Sequence, residues 1–164
     1  MKTIIFMILS LQLAATAQTV PANITDKHSK TPTGFLMVLN QGDSLMPYLE
    51  TLMIRENIPS ATVTGIGFVN AVFGFYNRQT KEYDPKTFDD VELASMSGSA
   101  AWQNGKPSLH LHGVVTDRNF QAFGGHLLAA IVGTGSLEIT ITVHSKKLER
   151  KVDESIGANV LQIK

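Results

Sequence analysis

The chain contains no cysteine, which removes disulfide frameworks, thiolate nucleophiles and cysteine-type zinc sites from consideration. It also lacks any surplus of charge. Fourteen basic side chains balance fourteen acidic ones, and charged residues fill only 17% of the 164 positions. A protein held to nucleic acid through phosphates ordinarily shows a basic face or arm. The one basic concentration, Lys146-Lys147 with Arg150-Lys151, reads as a solvated face, so nucleic acid is not an expected partner. No G-x-S-x-G elbow surrounds Ser95, Ser97 or Ser99, which argues against a serine nucleophile. Gly65-Ile66-Gly67 and Gly133-Thr134-Gly135 lack the third glycine and the following helix of a dinucleotide fingerprint, and they read as turns or sheet bulges.

What is present starts at the N-terminus. Lys2 precedes an apolar run over 3–13, and Ala15-Thr16-Ala17 forms a small-x-small site before Gln18. This is the three-part plan of a secretory signal peptide over 1–17, cleaved near Ala17. The run is too short for a spanning helix, and no cysteine follows it for lipid attachment. The expectation is a secreted or periplasmic protein with no membrane span after cleavage. Residues 18–33 are polar with two prolines and read as a flexible arm carrying a solvated His28.

One domain, over 34–164, follows. The apolar run 34–40 predicts a buried strand, and Gly42-Asp43-Ser44 ends it and caps a helix over 45–56. Segments 61–69 and 71–76 predict two strands with a tight turn around Asn70, and 81–83 and 91–97 predict two more. Asn104-Gly105 is a hairpin signal before a strand over 107–116. Arg118-Asn119 and Gly124-Gly125 predict turns, with a short second helix over 126–131. Segment 137–143 alternates as a strand, and 159–163 predicts the last one. The fold class is α+β: a mostly antiparallel sheet, one main N-terminal helix and a short second helix. Trp102 is expected in the core or as an interface anchor, and apolar faces exposed on so small a sheet favour oligomerisation.

The run Leu109-His110-Leu111-His112 carries the most chemistry. On a strand, successive side chains point to opposite faces, so both imidazoles share one face and both leucines the other. His126, following Gly124-Gly125, can be aimed back at that face from a glycine turn. Three neutral nitrogens without a thiolate suit zinc, with nickel, copper or iron as alternatives. An open fourth position would hold a water of lowered pKa. Glu92 and Glu138 lie within apolar strands; they read either as solvent-facing or as a general base or second partner beside the metal.

Taken in order, Ile58-Pro59-Ser60-Ala61, Thr64-Gly65-Ile66-Gly67, Val91-Glu92-Leu93-Ala94-Ser95-Met96-Ser97-Gly98, Leu109-His110-Leu111-His112-Gly113 and Phe123-Gly124-Gly125-His126-Leu127 form a pattern. It resembles the plants-and-prokaryotes conserved (PPC) domain, also labelled PD1-like DNA-binding, over about 33–143. The resemblance implies a homotrimer built on an antiparallel sheet. In prokaryotic members the matching histidines look like zinc ligands, here His110, His112 and His126, and Glu92 matches the acidic residue of the family's E-x-x-S-x-x-G segment. Plant members join the domain to AT-hooks that read the minor groove. This chain has no Arg-Gly-Arg-Pro hook, so that route to DNA has no residues to run on. A more distant likeness of fold and three-histidine site links such domains to acetolactate decarboxylase. The leading expectation is an exported homotrimer with a zinc site and a binding or assembly role. The alternatives are a zinc-dependent enzyme, hydrolase or decarboxylase-like, and a DNA-associated regulator.

Overall fold

The computed structural model describes residues 24–163, so the leader and the first part of the arm lie outside the described residues. A short 3-10 turn, Thr25–Lys27, leads into β1 (His28–Thr31), β2 (Gly34–Asn40), α1 (Leu45–Arg55), β3 (Ser60–Asn77), β4 (Glu82–Gln103), β5 (Lys106–Thr116), β6 (Ala122–His144), β7 (Glu149–Asp153) and β8 (Ala158–Gln162). The fold is α+β and mostly antiparallel. The sheet order is β1-β2-β6-β3-β4-β7-β8, with β5 pairing to both β4 and β6. Strands β3, β4, β5 and β6 therefore close on one another, which removes free edges from the centre of the sheet.

Alternation sets the core. Phe35, Met37 and Leu39 of β2 point inward beside Leu137, Ile139 and Ile141 of β6, and Val63, Leu93, Leu111 and Val115 continue the layer. Burying each such aliphatic side chain contributes about 1.5–3 kcal/mol before entropy is counted. Helix α1 covers this layer with Leu45, Leu49, Leu52 and Met53. Pro47 falls in its first turn, where a missing N–H costs little. The helix ends on Asn57 at φ 50°, where Ile58 N–H donates to the Met53 carbonyl and Asn57 N–H to that of Ile54. This closes the helix in the manner of a Schellman motif, with asparagine in the left-handed position that glycine usually fills.

Several sequence expectations are met closely: β2, α1 and the β4–β5 hairpin, whose Asn104 and Gly105 both have positive φ (50° and 77°), as a type I′ turn requires. Other expectations need correction. Residues 126–131 are not a helix; they lie inside β6, paired to β3. A bulge explains the misleading pattern. Val72 faces Ala129 while Phe73 faces Leu127, so Leu128 is the extra residue, and the buried positions Leu127 and Ala130 fall at a helix-like spacing of three. Gly124-Gly125 is likewise no turn but strand, opposite Val114 and Gly113.

Asn70 makes no turn either. β3 runs through it, and the irregularity lies on β4, where Asp90 takes φ 54° and its N–H donates to Asn70 Oδ1. Segments 81–83 and 91–97 belong to one strand, β4. The two Gly-x-Gly segments do mark register shifts in the sheet. The described part of the arm is ordered as β1, antiparallel to β2. His28 is not merely solvated: its Nδ1 lies 3.0 Å from the Ile24 carbonyl oxygen and its ring packs edge-on against Phe35. Trp102 packs against the core and donates its indole N–H to the Ile58 carbonyl at 2.9 Å. Among the described residues, no helix is long and apolar enough to cross a membrane.

Candidate metal centre

Strand alternation on β5 turns Leu111 into the core and leaves His110 and His112 on the opposite face. His112 pairs directly with His126 across the β5–β6 ladder. The third histidine therefore reaches the other two through strand register rather than from a glycine turn. The approach of β4 to β5 depends on Gly98, opposite Leu111: a Cβ there would run into the His110 carbonyl oxygen.

One ring nitrogen from each of His110, His112 and His126 falls within 4.8 Å of the other two. The Nε2 atoms of His110 and His112 are 3.2 Å apart. Two nitrogens bound tetrahedrally at about 2.0–2.1 Å would sit roughly 3.3 Å from each other, so this spacing is already that of a ligand pair. The Nδ1 of His126 is buried and has no hydrogen-bond partner within the protein. An orphaned buried nitrogen is costly, and a coordinated cation in this histidine cluster fits the observation.

The electrostatics keep His110 and His126 in the form that binds metal. Burial, with smaller contributions from His110, His112 and Arg150, lowers the pKa of His126 to about 4. Partial burial, then Arg150 and His112, lowers that of His110. Neutral imidazoles have a free lone pair at neutral pH. Tyr83 of β4 stacks on His126, with ring centroids 4.6 Å apart and planes inclined at 14°, and holds the ring's orientation.

Nothing in the sequence pattern marks Arg150. Read as part of a solvated basic cluster, it is instead only 4% exposed. Its Nη2 donates to the Ser99 Oγ at 2.7 Å and to the Ser99 carbonyl at 3.2 Å, while its Nε has no partner. Burial lowers its pKa from the ordinary arginine value, and the group remains a cation. Arg150 sits on β7, a five-residue strand with no apolar alternation, so no periodicity marks the position as inward-facing. With Tyr76, Lys81, Tyr83, His110 and His126 it lines a pocket of about 280 Å³. A wider groove of about 830 Å³ shares Tyr76, Tyr83 and His126 with this pocket and reaches His112.

The two glutamates do not join this site. The metal-ligand cluster consists of histidines alone. Glu92 is exposed between Phe68 and Thr116 and lines a separate pocket with Asp90, Asp117 and Arg118. Glu138 is exposed between Val38 and Ile66, twelve residues along β6 from His126. Neither glutamate lies beside the histidines, and both are exposed in the single chain.

The fold and site define a class: a closed antiparallel sheet that presents three clustered histidines from adjacent strands. Residues 27–145 match the Plants and Prokaryotes Conserved domain, and the chain belongs to that family. It is similar to the solved structure of a candidate DNA-binding protein from Ralstonia eutropha JMP134, at 55% identity and TM-score 0.84, covering 86% of this chain and 99% of that one. It is also similar to the metal-containing protein AF0104 from Archaeoglobus fulgidus (30% identity, TM-score 0.71, 79% and 92% covered). A plant- and prokaryote-conserved protein from Pyrococcus horikoshii matches at 27% identity and TM-score 0.69, covering 79% and 91%. No curated protein matches the sequence.

Proposed function

We propose that this protein is an exported, homotrimeric metal-binding member of the family, holding zinc through His110, His112 and His126 and serving a binding or assembly role. The observation that carries the reading is the 3.2 Å approach of two Nε2 atoms, with a third ring nitrogen close by and no carboxylate or thiolate in the group. Three nitrogen ligands leave a zinc ion with an open position for water or an exogenous ligand. The Archaeoglobus relative, described as metal-containing, supports a metal in this family.

Trimerisation is supported by an uncovered face on which three exposed aliphatic side chains surround a single glutamate. Val38, Glu138 and Ile66 lie side by side across β2, β6 and β3, with Leu36 two residues away on the same face of β2, and all four are exposed. The N-terminal leader pattern supports export.

Metal analysis of protein prepared without a histidine tag tests the central claim. About one zinc per chain is expected, and a His112→Ala variant should lack it; metal-free wild-type protein after zinc supplementation and desalting would sink the reading. Cell fractionation tests export, and finding the unprocessed chain in the cytoplasm would refute it.

A second reading, a DNA-associated regulator, draws on the description of the Ralstonia relative. The balanced charge of fourteen against fourteen weighs against it. Salt-sensitive binding to duplex DNA would restore it.

A further inference from the structure

Arg150 is a buried cation without a counter-ion. It forms no salt bridge among the described residues, its Nε is unpartnered, and only the Ser99 oxygens accept from its guanidinium. Leaving a charge buried and unpaired is strongly unfavourable, so native proteins ordinarily pair such groups. The pocket beside it deepens the anomaly. Its wall carries two cations, Arg150 and Lys81, together with His110 and His126, and no Asp or Glu. The Lys81 amine is steered toward the same region by its hydrogen bond to the Glu154 carbonyl, at 3.2 Å. Tyr76, which donates to the Ile156 carbonyl at 2.8 Å, ties the β3–β4 hairpin to the β7–β8 hairpin and completes the wall. A pocket lined by one sign of charge, with low-dielectric walls, concentrates the opposite ion.

We infer that this pocket binds a small carboxylate ligand, its carboxylate drawn to the Arg150 side and its remaining polar end directed toward the histidine cluster. The volume of about 280 Å³, just under the range of drug-sized ligand pockets, limits the ligand to a small molecule. Leu109 and Ala158 in the same wall give its carbon skeleton an apolar surface. A planar guanidinium matches the carboxylate group, and the apolar Leu109 and Ala158 favour an organic acid over inorganic phosphate.

The inference rests on the metal-site reading for the second end of the ligand. It rests on Arg150 alone for the first, so the two can fail separately.

The test is calorimetric titration of the protein, its metal content measured beforehand, with pyruvate, with the uncharged pyruvamide and with inorganic phosphate. Pyruvate is expected to bind, pyruvamide at least tenfold more weakly, and phosphate more weakly than pyruvate. Arg150→Gln should weaken pyruvate binding at least tenfold while leaving metal content unchanged. Lys81→Glu, an exposed position whose substitution leaves the core intact, should weaken it in the same direction and serves where Arg150→Gln fails to fold. Equal binding of pyruvate and pyruvamide, tighter binding of phosphate, or unaltered pyruvate affinity in the folded variants would overturn the inference. Metal present without pyruvate binding would overturn it and leave the metal reading standing. Pyruvate binding that depends on Arg150 in a protein that takes up no metal would overturn the metal reading instead.

Discussion

His112 on β5 and His126 on β6 occupy directly opposed positions of an antiparallel ladder. Side chains of such a pair leave the sheet on the same face about 5 Å apart, so backbone pairing rather than loop conformation sets the geometry of the cluster. His110, two residues before His112, joins them because strand periodicity returns it to that face. A site built this way is preorganised, since moving any one ligand means breaking ladder hydrogen bonds.

Loss of one histidine should therefore remove the metal without unfolding the domain. All three rings lie on the outer face of the sheet, and none belongs to the apolar core. His112→Ala and His110→Ala are expected to lower zinc affinity at least a hundredfold, measured by competition with a chromophoric chelator. Urea midpoints of the metal-free variants should stay close to that of the metal-free parent, as for surface substitutions, within about 0.5 kcal/mol. Affinity within a few-fold of wild type in either variant would show that the ring is not a ligand.

Gly98 is expected to be the weakest point of the supporting framework. An added methyl group would collide with the His110 carbonyl oxygen and the backbone at Leu111, and neither can retreat without separating β4 from β5. Gly98→Ala should cost about 1–3 kcal/mol as an overpacking defect, read from denaturant unfolding. Metal affinity should fall along with stability, because the displaced strand carries two of the ligands. A Gly98→Ala protein of unchanged stability would show that β4 and β5 are looser here than the structure has them.

The histidine cluster was readable from the sequence because the H-x-H spacing becomes geometry as soon as the segment is a strand. The way His126 arrives was not readable. Gly124-Gly125 resembled a turn, and the bulge at Leu128 imposed a three-residue spacing on its buried neighbours that resembles a helix. Both misreadings have one cause: Gly124-Gly125 is held to β5 and 127–131 to β3, and long-range pairing overrides local propensity. Arg150 was hidden for a different reason. Its burial comes from β7 and β8 folding over Ser99 of β4, a contact between residues 51 positions apart that leaves no periodic trace. By contrast, β2 and the 137–143 half of β6 were legible because each has one face on the core and alternates cleanly.

The apolar row Val38–Ile66, with Leu36 beside it, should control assembly. Replacing the apolar side chain at one end of the row through Ile66→Glu would set a second carboxylate next to Glu138, its cross-strand neighbour. Like charges side by side on a sheet face destabilise whatever covers them. The variant is expected to elute as a monomer in size-exclusion chromatography with light scattering, whereas wild type elutes as a trimer. Its far-ultraviolet circular dichroism should be unchanged, since Ile66 is 56% exposed in the single chain. A trimer that persists in Ile66→Glu would place the subunit contact elsewhere.

Asp43 should govern acid stability. Its carboxylate accepts from Lys27 Nζ at 2.8 Å, from the Asn40 N–H at 2.8 Å and from the Tyr48 hydroxyl at 3.0 Å. It thereby joins the first turn of the described chain, the end of β2 and the start of α1. Burial pushes its pKa up, but the hydrogen bonds from Lys27, Asn40 and Tyr48 together with the Lys27 charge outweigh that effect and hold it below the usual 3.8. The same hydrogen bond raises Lys27 above 10.5, against a smaller opposing effect of burial. A depressed carboxylate stabilises the fold fully above its unfolded pKa, and the contribution disappears as pH falls through the folded value. A raised amine contributes fully below 10.5 and loses its contribution above that. The stability difference between wild type and Asp43→Ala should thus form a plateau at intermediate pH, about 1–3 kcal/mol for the charge-assisted hydrogen bonds lost. It should shrink once the pH drops below 3.8 and again when it climbs past 10.5. Urea midpoints of both proteins between pH 2.5 and 11 provide the measurement, and a difference that stays constant across the acid limb would show that Asp43 acts through packing rather than charge.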